Sequence, residues 1–262
     1  MVSWSGHVLP VLVTIAIWFV ATGLVAWIDH RDRETFPRSL ALAGAAGIAG
    51  LVVIFVSMRV ASIPAVYAAF GGALMVWSWL EVAFLTGAVA GSRREPLDPL
   101  ARGWRRFSQA VAAMIHHELA LALTALMLIS LSWTAPNQVA AMTFALLWAM
   151  RLSTKLNIYR GVPNMSAEML PPQLAYLKSY FGPRRMSGWL AGSILAAIAI
   201  AAWLAEAAMS AAPGSAGAVG ASLLFALAAL GALEHLFLAL PVRDGALWGW
   251  ALPSRTIIRG EG

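Results

Sequence analysis

The chain contains no cysteine. Disulfides, thiolate metal ligands and cysteine nucleophiles are therefore excluded, and the redox compartment leaves no trace in the sequence. Charge is scarce as well. Asp, Glu, Lys and Arg make up 11% of the residues, whereas soluble domains average about 25%. With 60% hydrophobic residues and a mean hydropathy of +0.76, a water-soluble globule is excluded. Lysine occurs only at Lys155 and Lys178, neither in the last apolar stretch, so a retinal Schiff base has no partner there. The five histidines are too few for the histidine boxes of membrane oxidases, and HxxxH and HxxHH spacings are missing. No P-loop, GxGxxG or GxSxG motif occurs, and no paired broken helices mark a transporter repeat. The opening MVSWSGHVLP lacks a basic n-region and a small-residue cleavage site, so the first apolar stretch is expected to stay as a signal anchor.

What is present is a series of seven apolar segments: Val8–Ile28, Ser39–Met58, Ile63–Ala90, Ala110–Trp133, Pro136–Leu152, Ser187–Met209 and Ala216–Leu240. A spanning helix needs roughly 20 mostly apolar residues. The predicted fold is an all-α bundle of seven transmembrane helices in a single membrane domain over residues 1–262. The fifth segment is short, and Gly71-Gly72 is a candidate kink in the long third one. All of the 18 basic residues except Arg59 fall in alternate connections and the C-terminal tail, which also holds Arg243, Arg255 and Arg259. The positive-inside rule then places the N-terminus in the periplasm and the C-terminus in the cytoplasm of a bacterial inner membrane. On this reading the net charge of +6 signals membrane orientation, and no nucleic-acid partner is expected. The Leu152–Met186 connection is the longest, and Ala167–Tyr180 within it has the spacing of an interfacial helix, with Met169, Leu170, Leu174, Leu177 and Tyr180 near one face. Trp4, Trp104, Trp133, Trp189, Trp248 and Trp250 fall at segment ends, where tryptophans anchor helices. The run ALAGAAGIAG puts Gly44, Gly47 and Gly50 at steps of three, which lets helix backbones approach closely.

The fourth segment is the one around which the others are organised. It is apolar throughout yet carries His116, His117 and Glu118, and ionisable groups in a span face a partner, a cavity or a ligand. Counted from the basic ends, His117, Glu81, Glu234 and His235 all lie about six to nine residues in, roughly 9–14 Å deep at about 1.5 Å per residue. Four readings of this layer stand side by side. It is a hydrogen-bonded layer that fixes helix packing. It is a tetrapyrrole site, with His116, His117 or His235 on the central metal and Trp77 against the ring. It is a non-haem metal centre of Glu81, His117, Glu234 and His235. Or it is a proton path. Adjacent helical residues point about 100° apart, so only one of His116 and His117 faces a given site.

The stretches FPRSLA (36–41), IHHELAL (115–121), STKLNIYRGVPN (153–164) and GALEHLFLALPV (231–242) together resemble the PuhE family, photosynthetic complex assembly proteins of purple bacteria, over essentially the whole chain. The resemblance implies a role in assembling the reaction centre and its light-harvesting ring, with bacteriochlorophyll bound or handed over, and with complex subunits, other assembly proteins and membrane lipids as partners. It assigns no catalytic residue. A membrane-bound, metal-dependent enzyme of bacteriochlorophyll synthesis is the alternative. STKLNIYRGVPN itself is read as a basic inner-leaflet loop or as a docking surface. Lys155 and Arg160 would meet anionic headgroups, Asn157, Tyr159 and Asn164 would meet the partner, and Gly161-Val162-Pro163 would turn the chain.

Overall fold

The structure, a computed structural model, describes residues 2–165, 170–242 and 244–251. Eight helices follow one another: α1 (Leu9–Asp29), α2 (Phe36–Ser57), α3 (Ile63–Leu85), α4 (Gly103–Ala112), α5 (Ile115–Ser132), α6 (Val139–Arg160), α7 (Gly188–Ser210) and α8 (Ala216–Ala239). All but α4 are long and apolar enough to cross a membrane, seven in total among the described residues. Their starts follow from sequence. Pro10, Pro37 and Pro64 stand in the first turns of α1, α2 and α3, where the missing N–H costs nothing. Ser62, Ser187 and Ser215 accept hydrogen bonds from the N–H groups of Ala65, Leu190 and Ala218, the N-cap geometry that replaces a missing intrahelical partner.

α3 and α8 form the centre, and α1, α2, α5, α6 and α7 pack around them. Phe70, Phe144, Leu121 and Leu223 are the large side chains sealed into the core. The outer surface is the inverse of a soluble protein's, with Leu42, Leu123, Leu195 and Trp203 exposed. Apolar cover this extensive is stable against lipid and not against water. The glycine run does bring α2 onto α3: a Cβ on Gly50 would strike the Gly72 carbonyl oxygen, and one on Gly47 would strike the Trp79 ring. α3 itself is one helix through Gly71-Gly72, and of the two Gly72 serves the close approach to α2 while Gly71 faces open space.

Three expected boundaries are corrected. The fourth segment is not one helix from Ala110. It breaks at Ala113-Met114 into α4 and α5, because the α3–α4 connection takes over the hydrogen bonds of the junction. Arg93 N–H donates to the Ala112 carbonyl, and His117 N–H donates to the Ala90 carbonyl. A side chain on Gly91 would collide with that backbone. The third segment stops at Leu85 instead of Ala90. The fifth runs to Arg160 instead of Leu152, so STKLNIYR is helix, not loop. Of the expected interfacial helix, residues 172–180 form a 3-10 helix, Pro172–Tyr180, while 167–169, and with them Met169, lie outside the described residues, as do Arg243, Arg255 and Arg259. Trp4, Trp104, Trp133, Trp189 and Trp250 are exposed as anchors should be, but Trp248 is buried. Its indole N–H donates to the Phe19 carbonyl, and its ring meets Trp18 edge-on.

Candidate functional site

At the end of the bundle where the basic residues collect, the connections are folded into a cap. Gln173 donates its side-chain amide to the carbonyls of Asp29 and Leu85, tying the ends of α1 and α3 together. Arg106 donates to the carbonyls of Tyr159 and Tyr180 and lies 4.0 Å over the Tyr159 ring. Arg93 donates to the Tyr180 hydroxyl, which donates in turn to the Glu95 carbonyl. Phe84, Ala113, Leu174, Leu177 and Tyr180 close over an apolar centre beneath these bonds.

Below the cap lies a layer of ionisable side chains. Arg151 on α6 reaches Glu81 on α3 at 3.3 Å, and His117 Nε2 on α5 approaches the other oxygen of Glu81 at 3.7 Å. The His117 ring is sealed from solvent and stacks on Phe84 at 4.3 Å. Lys155, one turn beyond Arg151 on the same face of α6, pairs with Glu118 on α5 and lies over the Phe84 ring. Three helices are therefore joined through two cross-helix ion pairs and one imidazole. In a low-dielectric layer each pair holds because its partner is there.

Next to this layer, between α1, α3, α6 and α8, lies a cavity of about 250 Å³. Its polar lining includes Thr14, Trp18, Trp77, Glu81, Arg151 and Glu234. Trp18 donates its indole N–H to Glu234. Thirty-eight per cent of the Arg151 side chain stays accessible. Its Nε and the Glu81 Oε1 have no hydrogen-bond partner among the described residues. The cavity is thus a small, mostly apolar recess with a few polar groups in its wall.

The expected layer is therefore brought together only in part. Glu81 and His117 meet. Glu234 faces the cavity from α8, but His235 turns away from it: its two ring nitrogens are bonded to the Gly231 carbonyl and the Ser153 hydroxyl. His116 points outward and is exposed, as the 100° step requires. The proposed metal set Glu81, His117, Glu234 and His235 does not converge, and among the described residues no three His, Asp or Glu side chains are placed to hold a metal ion. The tetrapyrrole reading needs an imidazole and Trp77 beside one open space. Neither His117 nor His235 lines the cavity. The space is also below the roughly 300–1,000 Å³ of pockets for drug-sized ligands. Trp77 packs edge-on against Phe144 at 5.4 Å as part of the core.

The five residues expected to dock a partner are mostly used within the chain. Lys155 is paired with Glu118. Asn157 is buried and bonded to Ser153 and Ser193. Tyr159 lies beneath Arg106. Asn164 donates to the carbonyls of Phe237 and Val242 at the end of α8. Arg160 alone of the five is exposed. What sequence reading missed is the place of Arg151 and Lys155, assigned to a loop although their spacing of four is that of one helix face.

Fold and site together define an all-helical protein with seven helices able to cross a membrane, a polar cap at one end and a charged layer beneath it. The chain belongs to the family described as "Protein of unknown function (DUF3623)", whose model matches residues 4–258. A relative from Rhodobacter capsulatus, described as "Uncharacterized 30.4 kDa protein in puhA 5'region", is 36% identical over 251 residues, covering 94% of this chain and 91% of that protein. No solved structure matches the chain.

Proposed function

We propose that this protein is an assembly factor for the photosynthetic reaction centre and its light-harvesting complex. It works as a scaffold in the bacterial inner membrane, with the cap and C-terminus on the cytoplasmic side and the N-terminus in the periplasm. The photosynthetic side of the reading is supported by the relative named for its place in the puhA 5′ region and by the resemblance carried by STKLNIYRGVPN. The scaffold side is supported by one observation above the others. Glu81, His117, Glu118, Arg151 and Lys155 pair with one another across α3, α5 and α6 and so tie these helices together. The exposed cap surface, with Leu100, Trp104 and Arg105 outward, is where complex subunits or other assembly proteins would bind.

A pigment, if this protein hands one over, is carried on the outside of the bundle. His116 is the imidazole exposed there, on the same face of α5 as the exposed Leu119 and Leu123. A bacteriochlorophyll held at this place would take its axial nitrogen from His116 and lay its ring against that leucine face.

The test is an in-frame deletion in a purple bacterium that encodes this chain. The near-infrared bands of the assembled core complex should fall several-fold and return when the gene is restored, with the free pigment pool intact. Unchanged core-complex bands would overturn the assembly role. Protein purified from the pigmented host should show a stoichiometric pigment band that His116→Phe removes. No band in the wild type would remove the pigment part alone.

A further inference from the structure

A second recess, about 380 Å³, opens between α6 and α7 on the outside of the bundle. α7 packs closely along α8 and only sparsely against α6, which leaves the groove open. Its α7 wall is built of Gly188, Gly192, Ala196 and Ile200, and its α6 wall includes Ala149 and Ser153. The α7 residues recur every fourth position and so share one helix face. A Cβ on Gly188 or Gly192 would meet nothing within 4 Å. Neither glycine is there for close packing within this chain, and the room beside them is free.

The mouth of the groove is basic. Arg160 lies with its guanidinium 5.1 Å over the Trp189 ring, and Trp189 lines the groove. Arg184 and Arg185 are exposed just ahead of Ser187, the N-cap of α7. None of the three arginines forms an ion pair with a carboxylate among the described residues. Here also begins α7, whose first N–H groups have no intrahelical acceptor and favour an anion.

We propose that this groove seats one anionic phospholipid. Its headgroup phosphate sits at the start of α7 among Arg160, Arg184 and Arg185. One acyl chain runs down over Gly192, Ala196 and Ile200. The length of the groove favours a lipid over a partner helix. From Gly188 to Ile200 the rise is about 18 Å at about 1.5 Å per residue. That is close to one leaflet of a hydrocarbon core about 30 Å thick. A transmembrane helix would need a face along the whole of α7, and beyond Ile200 the groove has ended. Three guanidinium groups select net negative headgroups over zwitterionic ones, since each basic residue near the headgroup region adds to the attraction of anionic lipid. The site is independent of the assembly role.

The test uses the full-length protein in mild detergent, titrated with phosphatidylglycerol or phosphatidylcholine of identical chains and read by native mass spectrometry. The wild type should retain one phosphatidylglycerol under activation that strips phosphatidylcholine, a preference of roughly tenfold or more. Gly192→Leu fills the groove from its lipid-facing side and should lower retention about tenfold while the melting temperature holds. Should that variant fold poorly, Ala196→Leu makes the same measurement lower in the groove. Arg184→Gln with Arg185→Gln should erase the headgroup preference and keep a residual lipid adduct. Excess inorganic phosphate should not displace the lipid. Equal retention of the two lipids by the wild type would overturn the proposal. So would unchanged retention in both groove-filling variants, or loss of a bound protein partner from them with the lipid still in place.

Discussion

Glu81 shows why ionisable side chains persist in a layer where each is costly. Its carboxylate is nearly sealed and stands between the Arg151 guanidinium and the His117 ring. Removing one member leaves an uncompensated charge, whereas removing both can be close to neutral. Glu81→Ala should therefore destabilise the detergent-solubilised protein by about 3 kcal/mol, seen as an earlier thermal transition. The double variant Glu81→Ala with Arg151→Met should recover part of that loss, because the residues are directly coupled. If the double variant is as unstable as the sum of its singles, the ion pair is not what holds α3 to α6. His235 makes the complementary case. With both nitrogens bonded to protein groups, His235→Phe should cost about 1–3 kcal/mol of stability and leave any pigment absorbance of the purified protein untouched. A pigment band lost with His235 and kept with His116→Phe would reverse the assignment made here.

Between elements, α2 approaches α3 closely, and the approach depends on single hydrogen atoms. Gly50 and Gly72 face each other across the interface, each with the other's carbonyl oxygen where a Cβ would go. Gly50→Leu should force the helices apart and cost about 1–3 kcal/mol in thermal unfolding. Gly71→Ala, one residue from Gly72 but with open space at its Cβ, should be neutral or slightly stabilising. Equal losses in both would mean that the interface does not rest on Gly50 and Gly72. The same elements show how far the sequence could be read. Hydropathy was enough for seven spans and for the glycine face, because both depend on residue type at a fixed period. It was not enough for the break at Ala113-Met114. That break is made by a connection some twenty residues upstream, whose Ala90 carbonyl and Arg93 N–H take the bonds the helix gives up. Nor was it enough for the end of α6, because Arg151, Ser153, Lys155 and Asn157 read as loop by polarity. They remain helical because each finds a partner on α3, α5, α7 or α8. Of the candidate site, the sequence showed which residues lie at one depth but not which way they turn. Rotation decided that His117 meets Glu81 while His235 faces Ser153.

The whole molecule is asymmetric from end to end. One end carries the cap, the charged layer beneath it and, among the described residues, nearly all of the cations. The other carries short connections such as 58–62 and 211–215. The scaffold role requires the cap to face the cytoplasm, and the absence of natural cysteine makes this easy to measure, since any introduced thiol is the only one present. Ala61→Cys and Ala212→Cys place an exposed thiol at the sparsely charged end, and Ala175→Cys places one on the cap. In intact spheroplasts, a membrane-impermeant maleimide should label the first two and should reach Ala175→Cys only after lysis. Labelling of Ala175→Cys before lysis, with Ala61→Cys and Ala212→Cys protected, would put the cap in the periplasm and contradict the account.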